Sequence, residues 1–197
     1  MKTFHELQEG VYDPNIFKAI FLAGGPGSGK SYVVRRTTGG LGMKIVNSDD
    51  IYEKMLNDAG LDTTPEDIFS DQGQEIRSKA KAVTKRMQGN FLEGRLGLII
   101  DGTGKDYDKI AKQAQGLKAL GYECYMIFVN TSLETAQKRN QMRKRTLAPK
   151  AVESMWNEVQ NNIGKFQRLF GGPNFIVVDN NDAGEDVFAK VWKRCML

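Results

Sequence analysis

Eight residues of the chain, Gly24 to Ser31, match the pattern G-x-x-x-x-G-K-[ST]. An apolar run at residues 19–23 comes just before them and is typical of a buried parallel strand, and residues 31–38 are compatible with a helix. A strand, a glycine-rich loop and a helix in this order turn successive backbone N–H groups toward one point and add the positive end of a helix dipole. The pattern therefore predicts a loop that binds the phosphates of a nucleoside triphosphate; the alternative is a glycine-rich turn that matches by chance.

The residue types within this segment, hereafter the P-loop (residues 24–31), suit that chemistry. Glycines allow the backbone to close around a phosphate chain without Cβ clashes. Lys30 can reach the β- and γ-phosphates and so serve both binding and catalysis, and the Ser31 hydroxyl can ligate Mg²⁺. We therefore expect ATP and Mg²⁺ as cofactors. The predicted nucleotide-binding residues of the loop are Gly25, Gly27, Ser28, Gly29, Lys30 and Ser31.

Carboxylates follow two further apolar runs. Asp49 comes shortly after the second run, and Asp101 comes directly after the third, in the stretch Asp-Gly-Thr-Gly-Lys that also holds Thr103 and Lys105. Phosphoryl transfer needs the acceptor hydroxyl to be aligned, its proton to be accepted and the charge on the γ-phosphoryl group to be neutralised. Asp49 suits the proton role, and Asp101 could hold Mg²⁺ through water or bind the acceptor. We expect Asp49, Asp101, Thr103 and Lys105 to face the acceptor.

Asp49 and Asp50 also have a purely structural interpretation. Aspartate is favoured at the N-cap of a helix, and a helix is predicted from this point to residue 59. We expect one of the two residues to cap the helix and the other, Asp49, to take part in the chemistry.

Two other classes of nucleotide-binding protein fit less well. Motor and transporter ATPases usually follow the acid of the third strand with a second carboxylate that activates water, whereas here Gly102 follows Asp101. The residues from Asp101 to Gly104 mimic the D-x-x-G of GTPases, but the chain has no N-K-x-D motif with which to recognise guanine. ATP is therefore the expected nucleotide.

A basic stretch extends from Lys138 to Lys150 without an acidic residue. Arg139 and Arg143 are four positions apart and would share one face of a helix. Pro149 suits the first turn of a following helix, so residues 139–150 are predicted to form a helical lid. Both arginines would then bind the triphosphate and stabilise charge on the transferred group. The alternatives are a solvated basic face or a patch for a nucleic-acid backbone. The basic residues are Lys138, Arg139, Arg143, Lys144, Arg145 and Lys150.

These residues are positioned by an alternation of short apolar strands and helices, which predicts a parallel sheet with helices on both faces. In such sheets ligands bind at the carboxyl ends of the strands. The expected fold is an α/β, three-layer P-loop NTPase sandwich with five parallel strands and a helical lid. The predicted strands are residues 19–23, 43–47, 96–100, 122–129 and 175–178. The predicted helices are residues 31–38, 50–59, 74–92, 107–120, 132–145, 149–170 and 186–195.

Length and composition limit the remaining possibilities. The 197 residues suffice for one α/β domain, with 40% hydrophobic and 26% charged residues. We expect a leader or docking segment at residues 1–16 and one kinase domain at residues 17–197. No apolar run is long enough to span a membrane, so no membrane partner is expected. The two cysteines, Cys124 and Cys195, suggest neither a metal site nor a disulfide scaffold, so a cytoplasmic location is expected.

With these residues in place, the chain resembles the group of P-loop kinases that contains the zeta toxins and the bacteriophage polynucleotide kinases. The similarity to zeta toxins is greatest at residues 98–105, where Asp101 and Lys105 stand in place of the Glu and Arg of the family pattern. The resemblance implies that Asp49 is the base and that Arg139 and Arg143 serve the phosphates. Tyr52 stands where polynucleotide kinases carry an arginine that contacts the substrate. The stretches similar to polynucleotide kinases are residues 26–31, residues 47–50, residues 138–140 and Arg143.

Residues 1–10 resemble the capsid-targeting leader of internal proteins in T-even-like phages. In that family a prohead protease cuts after Leu/Ile-x-Glu, which here is Leu7-Gln8-Glu9. The resemblance implies a protein packaged in the virion and delivered to the host cytoplasm. The alternative is a short amphipathic segment that docks or frays, and the single histidine, His5, lies in it and is not expected to be catalytic.

Three hypotheses for function follow. The leading one is an ATP- and Mg²⁺-dependent kinase that phosphorylates a hydroxyl of a small nucleotide-like or sugar-like acceptor. The second is a polynucleotide 5′-hydroxyl kinase, in which the basic stretch meets a nucleic-acid backbone. The third is a non-catalytic virion or regulatory protein that uses ATP only to hold a conformation. The presence of Asp49, Asp101 and the arginines argues against the third.

Overall fold

The computed structural model describes residues 16–38, 42–142, 146–181 and positions 189 and 191. Its described strands form one five-stranded parallel sheet in the order β2-β3-β1-β4-β5. This confirms the expected P-loop NTPase sheet. The strands are β1 (Lys18–Ala23), β2 (Lys44–Val46), β3 (Leu98–Asp101), β4 (Glu123–Asn130) and β5 (Phe175–Asp179).

Helices connect the strands and cover both faces of the sheet. They are α1 (Lys30–Thr38), α2 (Ser48–Asp58), α3 (Pro65–Phe69), α4 (Asp71–Glu93), α5 (Tyr107–Ala119), α6 (Leu133–Gln141), α7 (Pro149–Gln160) and α8 (Ile163–Phe170). The side chains of the central strand β1 alternate between two buried clusters, one on each face of the sheet, so both faces must be covered by helices. Phe21 packs with Phe166 and Phe170 of α8, whereas Ile20 packs on the other face with Val33 of α1.

A third cluster lies outside the sheet layers, between α2, α3 and α4. It is built from Tyr52 and Leu56 of α2, Ile68 of α3, and Ile76 and Ala80 of α4. The long α4 then returns toward the sheet, and Phe91 and Leu92 near its end pack against the main core. This helical unit therefore stands beside the carboxyl end of β2, where α2 begins.

Two helix predictions were wrong in extent. Residues 149–170 form two helices, because the chain breaks at Asn161 and Asn162, and the Asn162 side chain bonds to a loop elsewhere in the molecule. Helix α6 ends at Gln141, four residues short of its predicted end. Residues 65–69 form a short helix that the apolar pattern did not reveal, although Pro65 stands at its first position after the cap Thr64.

Several predicted features lie outside the described residues. They are the leader at residues 1–10, the cleavage sequence with His5, Arg143 with Lys144 and Arg145, and nearly all of the helix at residues 186–195. Among the helices that the structure describes, none is both long enough and apolar enough to cross a membrane.

Candidate active site

The P-loop begins where β1 ends, between the two strands that pair with β1. Ala23 of β1 lies in register with Phe128 of β4, and Leu22 lies in register with Asp101, the last residue of β3. Because the strands are parallel, their carboxyl ends share one edge of the sheet. The P-loop and the carboxylate of Asp101 are therefore neighbours, as the sequence predicted.

Two P-loop glycines are required by the backbone and by close contacts. Gly27 and Gly29 have φ angles of +76° and +82°, in the left-handed region that L side chains rarely occupy. A Cβ on Gly27 would overlap the Ala136 carbonyl of α6, and a Cβ on Gly29 would overlap the side-chain amide nitrogen of Asn180. The loop is thus held closely between α6 and the end of β5.

Two polar side chains of the P-loop, those of Lys30 and Ser28, differ in their hydrogen bonding. The Lys30 ammonium donates a 2.7 Å hydrogen bond to the Gly24 carbonyl, so its side chain folds back over the loop. Ser28 is 2% exposed, and its hydroxyl is buried without a hydrogen-bond partner. Buried hydroxyls are normally satisfied, and a phosphate oxygen within the loop would supply such a partner.

The helix cap after β2 differs from the prediction. The N-cap of α2 is Asn47, whose side-chain oxygen accepts a 2.9 Å hydrogen bond from the Asp49 N–H. The expectation that Asp49 or Asp50 caps this helix was therefore wrong. Asn47 takes the position because a side-chain amide offers both an acceptor for the helix and a donor, and its Nδ2 donates to Asp50 at 3.0 Å. Both aspartates lie in the first turn with exposed side chains, where the helix dipole favours negative charge.

The carboxylate of Asp101 has one occupied and one orphaned oxygen. Its Oδ2 accepts a 3.3 Å hydrogen bond from Asn47, whereas Oδ1 is buried without a partner. Burial raises the pKa of Asp101, the nearby Lys30 opposes this, and Asp50 and Asp49 add to it. An orphaned anionic oxygen among carboxylates is a position that favours a cation or a hydrogen-bond donor.

This donor set is compatible with Mg²⁺. In nucleotide enzymes Mg²⁺ keeps several waters and binds through one or two protein oxygens plus the substrate phosphates. Ser31 at the start of α1 and the free oxygen of Asp101 supply oxygens of that kind. Among the described residues, no three His, Cys, Asp or Glu side chains gather into a metal site.

The loop after β3 packs directly on the P-loop. The Gly24 N–H donates a 3.0 Å hydrogen bond to the Thr103 carbonyl. Gly104 adopts a φ of +84°, and a Cβ there would lie 2.6 Å from the Cβ of Ala23. The side-chain amide of Asn162 donates to the carbonyls of Gly104 and Lys105 at 3.0 and 2.8 Å. The break between α7 and α8 therefore supplies the anchor that holds this loop at the site.

Two residues of the helical unit beside the site were not singled out as site residues from the sequence. Tyr52 lies one helical turn after Asp49, is 2% exposed, and has a buried hydroxyl without a partner. The guanidinium carbon of Arg77 in α4 lies 5.6 Å from the centre of the Tyr52 ring. Arg77 belongs to α4 and Tyr52 to α2, so this contact joins the two helices. Only the packing of α2 on α4 reveals this.

Of the two arginines predicted to act from the lid, Arg139 is described and Arg143 is not. The two terminal nitrogens of Arg139 donate to the backbone carbonyls of Asn180 and Asn181 at 2.7 and 3.1 Å. Its Nη1 also lies 3.8 Å from the position that a Cβ on Gly29 would take. Arg139 therefore lies beside the P-loop and is fixed by the segment that follows β5, and its contact with a triphosphate stays a prediction.

One side chain near the end of α6 bonds to the residue that lies two positions before α7. Asn140 donates to the Leu147 carbonyl at 2.9 Å and accepts from the Leu147 N–H at 3.2 Å. Helix α7 follows, and its Trp156 lies against Gly25 while its indole N–H donates to the Thr131 carbonyl at 2.8 Å. These contacts place the start of the predicted lid and α7 next to the P-loop.

Comparison with known proteins agrees with this geometry. The AAA domain family matches residues 20–165, which include the P-loop, both carboxylates and α6. The chain belongs to this family. No curated protein matches the chain at a significant level of sequence similarity.

Solved structures of similar fold include kinases and a toxin system. The PezAT chromosomal toxin–antitoxin system of Streptococcus pneumoniae aligns with a TM-score of 0.63 and 19% identity, over 89% of this chain and 76% of that one. Shikimate kinase from Acinetobacter baumannii in complex with shikimate aligns with a TM-score of 0.53 and 18% identity, over 89% and 91%. The AvrRxo1-ORF1:-ORF2 structure with ATP aligns with a TM-score of 0.64 and 18% identity, over 81% and 53%. At these identities the similarity shows a shared fold alone, that of α/β P-loop NTPase-like proteins.

Proposed function

We propose that the protein is an ATP- and Mg²⁺-dependent kinase that transfers the γ-phosphoryl group to a hydroxyl of a small nucleotide-like or sugar-like acceptor. The observation that carries the proposal is the meeting of the P-loop with the carboxylates at one edge of the sheet. Asp101 lies close enough to Lys30 for the ammonium to oppose the rise that burial causes in the pKa of Asp101, and Asn47 connects Asp101 to the first turn of α2. A triphosphate in the loop would therefore end beside these groups.

The division of roles follows from exposure and charge. The Asp49 side chain is exposed at the start of α2, so an acceptor hydroxyl can approach it and lose its proton to it. Lys30 extends along the P-loop and would contact the β- and γ-phosphates. Thr103 and Lys105, held beside the P-loop, would line the path by which the acceptor enters. Arg139 and Arg143 would stabilise the negative charge that spreads over the transferred group.

Ser31 and Asp101 would hold Mg²⁺ with the phosphate oxygens. When bound, this ion would neutralise charge on the β- and γ-phosphates. Asn47 contributes by occupying one oxygen of Asp101, which fixes the direction of the other. The raised pKa of Asp101 fits a carboxylate whose charge is compensated only when the ligands are present.

The acceptor side favours a small molecule that carries negative charge. Arg77 brings a cation beside Tyr52, one turn from Asp49, and a phosphate or carboxylate of the acceptor would find a donor there. A nucleotide-like acceptor would satisfy both Arg77 and the buried Tyr52 hydroxyl. The fold shared with shikimate kinase, whose solved structure holds shikimate, supports a small acceptor.

A polynucleotide 5′-hydroxyl kinase is the second candidate. Lys138 of α6 and Lys150 of α7 are exposed, and both belong to the basic stretch of the sequence. Such a stretch could bind a phosphate backbone.

A transfer screen separates these activities. The full chain is incubated with Mg²⁺ and ATP labelled at the γ-phosphate, together with sugars, nucleosides, nucleotides or short 5′-hydroxyl oligonucleotides. Label should move to a small acceptor, and the Lys30→Ala and Asp49→Asn variants serve as negative controls. Transfer to oligonucleotides alone would favour the second candidate. Absence of transfer to every class, with ATP binding intact, would contradict both.

A further inference from the structure

Asn180, the residue directly after β5, is held among the P-loop, β4 and α6. It is 5% exposed, and its backbone N–H extends the sheet by donating to the Asn130 carbonyl at 2.8 Å. Its side-chain Nδ2 donates a buried 2.7 Å hydrogen bond to the Ser28 carbonyl in the P-loop. A carbonyl can only accept, so the amide group of Asn180 must present its NH₂ to Ser28.

This bond fixes one peptide plane of the P-loop. The Ser28 carbonyl and the Gly29 N–H belong to the same trans peptide group, in which the two bonds point in opposite directions. Holding the carbonyl against Asn180 therefore directs the Gly29 N–H away from Asn180. Gly29 also approaches Asn180 so closely that any Cβ would overlap the amide nitrogen. Position 29 therefore requires glycine both for its positive φ angle and for its close contact with Asn180.

Asn180 is in turn fixed by α6. Arg139 donates to its carbonyl at 2.7 Å and to the next carbonyl, that of Asn181, at 3.1 Å. The Asn181 side chain accepts a 2.8 Å hydrogen bond from the N–H of Ser132, the N-cap of α6. Both ends of α6 are therefore connected to residues 180 and 181, and through Asn180 to the P-loop.

We infer that Asn180 is a positioning residue that aims the Gly29 N–H at the phosphate chain, with Arg139 holding Asn180 in place. The inference rests on the proposed binding of ATP by the P-loop. An amide that binds phosphate equally in the ground state and the transition state contributes to affinity and not to turnover. Loss of its alignment should therefore raise the KM for ATP and leave kcat unchanged.

The test uses neutral substitutions so that no charge is placed near the triphosphate. Asn180→Leu keeps the approximate size and removes the donor, and Asn180→Ala provides a second variant in case leucine prevents folding. Asn174→Ala is the matched control, because Asn174 donates its side-chain amide to the Cys124 carbonyl at the opposite end of β5, at 3.4 Å. Calorimetry measures the affinity of each full-length protein for Mg·ATP and for inorganic tripolyphosphate, and thermal unfolding reports its stability.

We expect both Asn180 variants to bind ATP and tripolyphosphate about tenfold more weakly, the size of one lost hydrogen bond. Asn174→Ala should bind as wild type does even if its stability falls. Wild-type affinity in a folded Asn180 variant would overturn the inference and leave the proposed function intact. If the wild-type protein bound neither ligand, the proposed function and the inference would both fail. A fall in kcat with an unchanged KM would also overturn the positioning role.

Discussion

The side-chain amide of Asn47, at the end of β2, donates a 3.3 Å hydrogen bond to the carboxylate of Asp101, at the end of β3. The same nitrogen donates to Asp50 at 3.0 Å, and the side-chain oxygen accepts from the Asp49 N–H at 2.9 Å. One asparagine therefore determines where α2 begins and how the Asp101 carboxylate is oriented. Because both proposed functional carboxylates depend on it, Asn47 connects the stability of this region with its chemistry.

Asn47→Ala should lower both stability and phosphoryl transfer. Loss of an N-cap side chain costs about 1 kcal/mol, which chemical denaturation can measure. Transfer should fall by more than that stability loss explains, because Asp101 loses its hydrogen bond and Asp49 its fixed position. Thr64→Ala removes the cap of α3 and is the matched control. It should cost similar stability while keeping transfer, and equal loss of transfer in the two variants would contradict the connection.

Asp101→Asn should stabilise the ligand-free protein at neutral pH. Burial raises the pKa of Asp101 above its ordinary value of 3.8, Lys30 opposes this, and Asp50 and Asp49 reinforce it. A carboxyl with a raised folded-state pKa contributes stability that is fully present below the unfolded-state pKa and is lost as the pH rises through the folded-state pKa. The side-chain amide of the Asp101→Asn variant does not titrate, so the variant does not lose this stability as the pH rises. The unfolding temperature of this variant should exceed that of wild type at pH 7, and the difference between the two temperatures should disappear toward pH 3.8. A difference in unfolding temperature that does not change with pH would contradict a raised pKa of Asp101.

Asp49→Asn should leave ATP binding nearly intact and depress phosphoryl transfer. The amide keeps the shape of the carboxylate but cannot accept the acceptor proton, and general base catalysis contributes about 10²- to 10⁴-fold. Steady-state kinetics and calorimetry measure the two effects separately. Asp50→Asn is the control: it keeps an acceptor for the Asn47 amide and should retain transfer. Undiminished transfer by Asp49→Asn would remove Asp49 from the role of base.

Lys30→Ala should weaken Mg·ATP binding without unfolding the domain. The ammonium folds over the P-loop to the Gly24 carbonyl, so its loss removes a cation from the proposed phosphate site. Calorimetry should show an affinity lower by about tenfold or more, since a hydrogen bond from a charged group contributes about 1.5–3 kcal/mol. Circular dichroism should show unchanged folding. Equal affinity in variant and wild type would contradict a phosphate site at this loop.

Much of this site could be predicted because its signals are local in the sequence. The motif from Gly24 to Ser31 carries its own strand, loop and helix signals, and Asp101 follows directly on a continuous apolar run. Parallel pairing then places the ends of such strands at one edge. The position of Asp101 beside Lys30 follows from these two facts alone.

The parts of the site that could not be predicted from the sequence depend on contacts between residues distant in the chain. Asn180 and Ser28 are separated by 152 positions, and no periodicity marks an asparagine that bonds to a remote carbonyl. Arg77 reaches Tyr52 only because α4 packs on α2. Asn162 occupies a position within the one long helix predicted from the sequence, whereas it lies at the break between α7 and α8 and its side chain anchors the loop after β3. Tertiary hydrogen bonds of this kind override local propensity.

The class of acceptor should be visible in the dependence of binding on salt. A single-stranded oligonucleotide bound by Lys144, Arg145 and Lys150 would release counterions, and its affinity should fall with a log–log slope of about −2. A small anionic acceptor that meets one cation, Arg77, should show a slope of less than about one. We expect the weaker dependence, with Arg77→Gln raising the KM for a phosphorylated acceptor and leaving that for ATP unchanged. A steep slope that disappears when the three basic residues are neutralised would instead establish a nucleic-acid acceptor, provided that Arg77→Gln leaves the KM for the acceptor unchanged.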